Sequence, residues 1–197
     1  MSEEGYVDYF AILELDSSAK PGEVRKNYKR MMKDLVMEIA RVRITEERRS
    51  HYLLQMAQLN AAFYILRDNQ TREAYWAARQ QVIALEEQWR AAAAGGGGSG
   101  TGEADNLRRQ FDTRLRHFLS RYVEEAMLEA GRDKECVETS NWDAAHERHA
   151  SRILRHYRHT LYQQILHRLP FYEITPPHID WDERGRTVAS ILSEEAR

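Results

Sequence analysis

A glycine-rich run near the middle of the chain, GGGGSGTG at residues 95–102, limits how the two halves can be connected. The four alanines before it, at 91–94, favour helix, whereas four consecutive glycines give the backbone too much freedom to continue one. We therefore expect a helix to end near Gly95. The predicted organisation is one domain at 1–90, an Ala/Gly-rich linker at 91–102 and a second domain at 103–197. A linker engineered between two separate chains would have the same composition.

Charge and composition exclude few classes of protein. The 197 residues are 42% hydrophobic and 30% charged with a net charge of -2, unlike an acidic disordered tail or a strongly basic nucleic-acid binder. The single cysteine, Cys136, cannot form an internal disulfide, and no apolar run approaches the roughly 18 residues of a membrane helix. The first residues lack the pattern of a secretory signal. We expect a soluble, cytoplasmic protein that does not contact a membrane.

The first half has the hydrophobic period of helices, and residues 9–15 predict a single short turn on the core. A longer helix is predicted to start near Pro21. Its apolar face consists of Val24, Tyr28, Met31, Met32 and Leu35. The opposite side of this helix is contiguous and positive, and we call it the 26–33 basic face: Lys26, Lys29, Arg30 and Lys33.

Two more helices are predicted before the glycine-rich run. The first starts at Thr45 and ends near Arg67, with one apolar stripe at Tyr52, Met56, Leu59, Phe63 and Leu66. The second begins near Thr71 and places apolar residues at alternating spacings of three and four, as in a coiled coil. We call this row the 75–89 seam: Tyr75, Ala78, Val82, Leu85 and Trp89. The seam is predicted to dock the C-terminal half or to mediate self-association with another copy of the chain.

Residues 8–35 read DYFAILELDSSAKPGEVRKNYKRMMKDL and resemble the opening of a J domain, the Hsp70 co-chaperone module of DnaJ-like proteins. That family opens with an Asp-Tyr-Phe type motif, a Leu-Gly-Leu and a helix of the form Glu-Ile-Lys-Lys-Ala-Tyr-Arg. The matching residues are Asp8, Tyr9, Phe10, Leu13, Leu15, Glu23, Val24, Arg25, Lys26, Tyr28 and Lys29. Residues 59–76 resemble the family's third helix and its following turn at Asn60, Ala61, Phe63, Leu66, Asp68, Arg72 and Tyr75. The resemblance implies an all-α, J-like helical hairpin, here with an extended last helix.

One departure from the family is specific. The His-Pro-Asp tripeptide with which J domains trigger ATP hydrolysis by Hsp70 would fall at Val36, Met37 and Glu38. These residues offer neither the directed polar contacts of His and Asp nor the turn that Pro fixes. No Pro or Gly occurs from 29 to 49, so the helix is predicted to continue through Ile39 and Val42 and to replace part of the loop.

The 26–33 basic face corresponds to the surface with which J domains approach Hsp70. The resemblance therefore implies a protein that binds Hsp70, or a J protein, without stimulating ATP hydrolysis. The alternative is that the charges have no binding function, because exposed helix faces commonly carry charged residues whose ion pairs contribute little to stability. A second hypothesis is an assembly scaffold of a larger complex with no Hsp70 role.

Residues 103–197 carry no comparable resemblance and are predicted to form a helical partner-binding unit. One helix is predicted from Ala104 to Ala130 and is ended by Gly131, with an apolar face at Leu107, Phe111, Leu115, Phe118 and Tyr122. A second is predicted at 141–169, with Ile153, Tyr157, Leu161 and Ile165 inward. A Pro-rich aromatic tail at 170–185 and a last short helix at 187–195 follow.

The second of these helices is rich in histidine and arginine. Its histidines are His146, His149, His156, His159 and His167, but nearby carboxylates are few, so we predict no metal site and no cofactor. Four basic residues lie along one face, which we call the 148–159 stripe: Arg148, Arg152, Arg155 and His159. The stripe would suit an acidic partner, and nucleic-acid binding is a third, less favoured hypothesis. Cys136 is predicted to be a surface thiol in a polar loop with no base beside it, and we expect a non-enzyme.

Overall fold

The computed structural model describes residues 6–41, 43–94, 101–144 and 146–149, together with 151–152, 155–156, 159–160, 163, 186 and 189. This part of the chain contains helices and connecting turns but no β-strand. The predicted all-α class is therefore confirmed. The Pro-rich tail, the last short helix apart from Ala189, and the predicted inward positions Ile153, Tyr157, Leu161 and Ile165 lie outside the described residues.

Seven α-helices lie within the described residues. They are α1 (Tyr9–Ile12), α2 (Pro21–Ile39), α3 (Glu46–Leu66), α4 (Asn69–Ala94), α5 (Thr101–Leu119), α6 (Ala126–Ala130) and α7 (Lys134–Ser140). A π-helical segment, Ser120–Glu125, joins α5 to α6 without a break. Beyond α7, the described positions from 144 to 163 are also helical.

The short helix α1 is held by two side chains of α4. The Asp8 carboxylate caps α1 by accepting two of its backbone N–H groups, and it also accepts a hydrogen bond from Arg79 at 3.0 Å. The Tyr75 hydroxyl donates to the Val7 carbonyl and accepts from the Tyr9 N–H at 3.0 Å. The predicted helical turn is confirmed, and these contacts explain why it is stable although it is only four residues long.

The central helix is α3. It starts after Thr45, whose hydroxyl accepts from the Arg48 N–H at 3.3 Å, and ends at Leu66, as predicted. Tyr28 of α2 stacks on Phe63 with ring centroids 4.2 Å apart. One apolar stripe was predicted, but α1, α2, α4, α6 and α7 all pack against α3. It therefore buries residues on several sides: Leu53, Met56, Ala57, Leu59, Asn60, Ala61, Ala62, Phe63, Ile65 and Leu66.

The 75–89 seam of α4 is covered by α5 of the same chain. Trp89 stacks on Phe111 with centroids 6.0 Å apart, and Tyr75 lies 5.9 Å from Phe118. Val82 is buried between these two contacts. The seam thus docks the C-terminal half, one of the two roles predicted for it. A second copy of the chain would have to displace α5 to use the same surface.

The two halves share one hydrophobic core. Buried residues from α1 to α4 and from α5 to α7 form a single cluster, because α5 packs on α4 while α6 packs on α3. Residues 91–94 belong to α4 and residues 101–102 to α5, so both ends of the predicted linker are helical. The division into two domains stays a prediction, but the described halves do not form separate cores.

Cys136 lies in the core, and its predicted place in an exposed polar loop was wrong. Asp133 caps α7 by accepting the Cys136 N–H at 3.2 Å, which allows a short helix to form where the sequence is mostly polar. The thiol is fully buried against α3. Burial raises the pKa of Cys136 to about 12, since the thiolate would lose its hydration there.

Candidate functional site

The 26–33 basic face lies on the solvent side of α2. Val24, Tyr28 and Met32 point to the core, so the helical period carries the intervening cations outward. Every side chain of the face is exposed: Lys26, Lys29, Arg30 and Lys33. The structure therefore brings together the four residues that the sequence predicted as a partner-binding surface.

Only one of these four cations is paired within the described part of the chain. Arg30 forms an ion pair of 2.6 Å with Glu14, and both side chains are more than half exposed. Lys26, Lys29 and Lys33 form no ion pair with any described residue. The face thus keeps three ammonium groups available for an acidic partner.

Glu14 has a backbone conformation that is rare for its residue type. Its φ of 54° is in the left-handed region, which glycine adopts at lower cost. Glu14 lies between Leu13 and Leu15 in the turn that follows α1. This turn between α1 and α2 requires the left-handed conformation although the residue there is not glycine.

Val36, Met37 and Glu38 form part of the last turn of α2. Val36 is half-buried, Met37 is 52% exposed, and Glu38 pairs with Arg41 at 2.6 Å. The helix ends at Ile39 with Ala40 as its cap, so it is shorter than predicted, and the last predicted position, Val42, lies outside the described residues. Helix nevertheless covers all three of these residues, as predicted.

A cleft beside the basic face runs between α1, α2 and α3. Its floor is apolar, with Ile12, Met31, Leu35 and Leu59, while charged and amide groups form its rim: Glu14, Arg30, Asp34, Gln55 and Gln58. Among the described residues, no Ser, Cys or His lines it, and its carboxylates are those of Glu14, which pairs with Arg30, and of Asp34. This arrangement can hold an apolar side chain of a protein partner next to the lysines.

The 148–159 stripe is exposed, but part of it is used within the chain. Arg152 lies 3.7 Å from Glu46 at the start of α3, and the neighbouring His149 contacts Ser50 at 2.8 Å and Glu46 at 3.3 Å. Arg148, Arg155 and His159 point to solvent. The sequence did not predict this contact with α3, although the acidic residues in the first turn of α3 offered a partner for the cations.

The histidines are not gathered into a metal site in the described residues. His146 pairs with Asp143 at 2.6 Å, and no group of three potential ligands occurs there. His167 lies outside the described residues.

Sequence reasoning missed the polar contacts that join the two halves. Arg67 at the end of α3 forms two hydrogen bonds with Asp133, and Arg25 of α2 pairs with Glu135 of α7 at 3.2 Å. Such pairs join positions far apart in sequence, and charge alone does not identify which residues meet.

Among the described helices, none combines the length and the apolar character that crossing a membrane requires. Comparisons with protein-family models, with curated proteins and with solved structures gave no match.

Proposed function

We propose that this protein is a non-enzymatic, J-like adaptor or regulator, which binds Hsp70 or a J protein through the 26–33 basic face without stimulating ATP hydrolysis. The observation that carries the proposal is the combination on one helix of exposed, unpaired lysines with a tripeptide position that is helical. The lysines supply binding, and the helical turn removes the trigger. A cytoplasmic location is part of the proposal.

Two features of the described fold, one of the backbone and one of side chains, support the J-like proposal. The turn after α1 places Glu14 in a left-handed conformation at the position of the family's glycine. The Asp-Tyr-Phe motif also has a structural role, because Asp8 caps α1 and Tyr9 is fully buried. Several residues that carry the resemblance therefore have a structural role in the described fold, which supports the proposal.

The lack of stimulation follows from the chemistry of residues 36–38. A turn fixed by Pro presents polar groups of His and Asp to a partner. Here the same positions continue α2, and they offer a half-buried valine, an exposed methionine and a carboxylate already paired with Arg41. A partner that binds the lysines would therefore meet no His-Pro-Asp tripeptide beside them, and ATP hydrolysis would not be stimulated.

The test is single-turnover ATP hydrolysis by Hsp70, measured with this protein alone and then in competition with an active J protein. We expect no stimulation alone and inhibition in the competition. The double variant Lys26→Glu, Lys29→Glu should remove the inhibition, because it reverses two unpaired charges on the face. The control Arg148→Glu, Arg155→Glu makes the same change in net charge and should inhibit as well as the wild type.

An assembly scaffold with no Hsp70 role is the second candidate, and the loss of the trigger residues also favours it. If the protein changes ATP hydrolysis by Hsp70 neither alone nor in competition, the scaffold is favoured. Direct stimulation would contradict the interpretation of Val36, Met37 and Glu38. Nucleic-acid binding through the 148–159 stripe is disfavoured because Arg152 faces Glu46 of the same chain.

A further inference from the structure

A groove runs along the solvent side of the pair formed by α4 and α5. It consists of two adjoining cavities, which share Gln81 of α4 and Arg114 of α5. The buried residues Val82, Phe118 and Tyr122 line one of the cavities, so this part of the groove has a packed floor. It involves neither the 26–33 basic face nor the 148–159 stripe.

The α4 wall of the groove carries no charged side chain and consists mostly of short ones. Most of its lining positions carry small or amide side chains, and two carry larger apolar ones: Ala74, Ala77, Ala78, Gln81, Ala84 and Gln88, then Val82 and Leu85. The charged residues of α4 lie on its other faces. Short side chains reduce the distance at which another helix can pack, so this wall can accept a helix closely.

The α5 wall is cationic. Arg109, Arg114 and Arg121 line the groove together with His117, and no Asp or Glu among the described residues lines either cavity. Arg114 and His117 are exposed and form no ion pair with any residue in the described ranges. The groove therefore carries a positive field that the adjoining wall does not neutralise.

One end of the groove lies in the π-helical segment. Arg121 and Tyr122 both belong to that segment, and the Arg121 guanidinium lies 5.1 Å from the centre of the Tyr122 ring. The Tyr122 hydroxyl is buried and has no hydrogen-bond partner among the described residues. π-helical turns occur frequently at functional sites, and this one sets the position of the terminal cation.

We propose that this groove binds an acidic amphipathic helix of another protein. The small or apolar face of that helix would lie on the alanines of α4, and its carboxylates would meet Arg114 and Arg121. A nucleic acid fits the groove less well, because the aromatic side chains that line it, Phe118 and Tyr122, are buried and cannot stack on bases. The site is separate from the 26–33 basic face, so the protein would bind two partners at once, whether or not one of them is Hsp70.

The test uses a fluorescein-labelled helical peptide of about 18 residues, with Ala and Leu on one face and Glu on the other. Fluorescence anisotropy with the full chain should show binding that weakens as ionic strength rises. The variant Arg114→Glu, Arg121→Glu should weaken binding about tenfold or more, since attraction at two positions becomes repulsion. Ala77→Trp should also weaken it, because Ala77 is exposed and a large side chain there fills the groove without disturbing the core.

The control Lys26→Glu, Lys29→Glu makes the same charge change at the other site and should leave peptide binding intact. Equal losses in both double variants would mean that net charge alone attracts the peptide, and the proposal would be wrong. No binding by the wild type would also overturn it, as would tighter binding of a labelled single-stranded oligonucleotide. Self-association of the wild type that Arg114→Glu, Arg121→Glu abolishes would identify a second copy of the chain as the occupant instead.

Discussion

Arg67 and Asp133 form two hydrogen bonds, of 2.9 and 2.6 Å, between the end of α3 and the start of α7. The same carboxylate accepts the Cys136 N–H and caps α7. Hydrogen bonding from Arg67 lowers the pKa of Asp133 to about 2. This pair therefore fastens the C-terminal half to the central helix while it also defines where α7 begins.

Replacing Asp133 by Asn tests the pair separately from the cap. Asn caps helices about as well as Asp but cannot form the ion pair, so Asp133→Asn should lower the free energy of unfolding by about 1 to 2 kcal/mol at pH 7. Urea denaturation measures the change. The control is Asp68→Asn at the start of α4, where the carboxylate accepts the Thr71 N–H but forms no ion pair with a described residue. Equal effects of the two variants would assign the energy to capping.

The same pair makes stability depend on pH in the acid range. The folded pKa of Asp133, about 2, lies below its ordinary value of 3.8, so the contribution of the carboxylate is complete above about pH 4. It should be lost as the pH falls from about 4 to 2. The free energy of unfolding, measured by urea denaturation at several pH values in this range, should change less with pH for Asp133→Asn than for the wild type. An unchanged slope would show that other carboxylates control acid unfolding.

The hydroxyl of Tyr75 should contribute measurably to stability. Tyr75→Phe keeps the ring contacts but leaves the Tyr9 N–H and the Val7 carbonyl without this partner in a buried region. We expect a loss of about 2 kcal/mol in the free energy of unfolding, measured by urea denaturation. Tyr52→Phe is the control, because Tyr52 is half-buried and its hydroxyl makes no hydrogen bond with a described residue. A loss no larger than that of the control would contradict the prediction.

Glu14→Gly should stabilise the protein. Glycine removes the side chain that disfavours the left-handed conformation, and the exposed pair with Arg30 contributes little, so the expected gain is about 0.5 to 1 kcal/mol. Thermal denaturation checks it. Asn141 has a similar φ of 52°, but Asn tolerates that conformation, and Asn141→Gly should gain less. Glu14→Gln isolates the effect of losing the ion pair, and a gain from it would show that charge and not the backbone is responsible.

The shared core predicts that the two halves remain associated after the chain is cut. A protease site inserted at 95–100 would allow cleavage, and the fragments should elute together in size-exclusion chromatography because α5 covers the 75–89 seam. Phe111→Ala should weaken that association, since truncating a buried Phe typically costs about 3 to 5 kcal/mol. Fragments that separate without the substitution would favour two independent domains.

Cys136 should react slowly with a thiol reagent in the native protein. Its thiol is buried and its pKa is raised to about 12, so thiolate is scarce and access is blocked. Denaturant should make the reaction fast. Met37→Cys adds an exposed thiol to the same chain as an internal control, and biphasic kinetics in that variant would distinguish the two sites. Equal rates at both sites would place Cys136 at the surface.

Local signals predicted much of this architecture. Thr45 and its acidic neighbours marked the start of α3, and the period of α2 predicted which side of the helix carries the lysines. The burial around α3 was not predictable in the same way, because it depends on five helices that come from both halves of the chain. Residues 131–142 illustrate the limit, since their polar composition favours a loop, whereas contacts of α7 with α2 and α3 bury Cys136.

The candidate site was predictable to the same degree. Exposure of the 26–33 basic face follows from helical geometry, whereas the pairing of Arg30 with Glu14 depends on how the chain turns between them. The contact between Arg152 and Glu46 joins residues more than a hundred positions apart, so no local pattern identifies it.

The π-helical segment allows one uninterrupted rod to have two different neighbours. Its wider turn changes the direction in which all later side chains point. As a result, α5 packs on α4, while α6 packs on α3 and buries Ala126, Met127 and Ala130. Deleting one residue from the segment would rotate α6 by about 100° relative to α5. The segments from α5 to α6 would then form one regular α-helix. The buried residues of α6 would be turned away from α3, and polar residues would take their place.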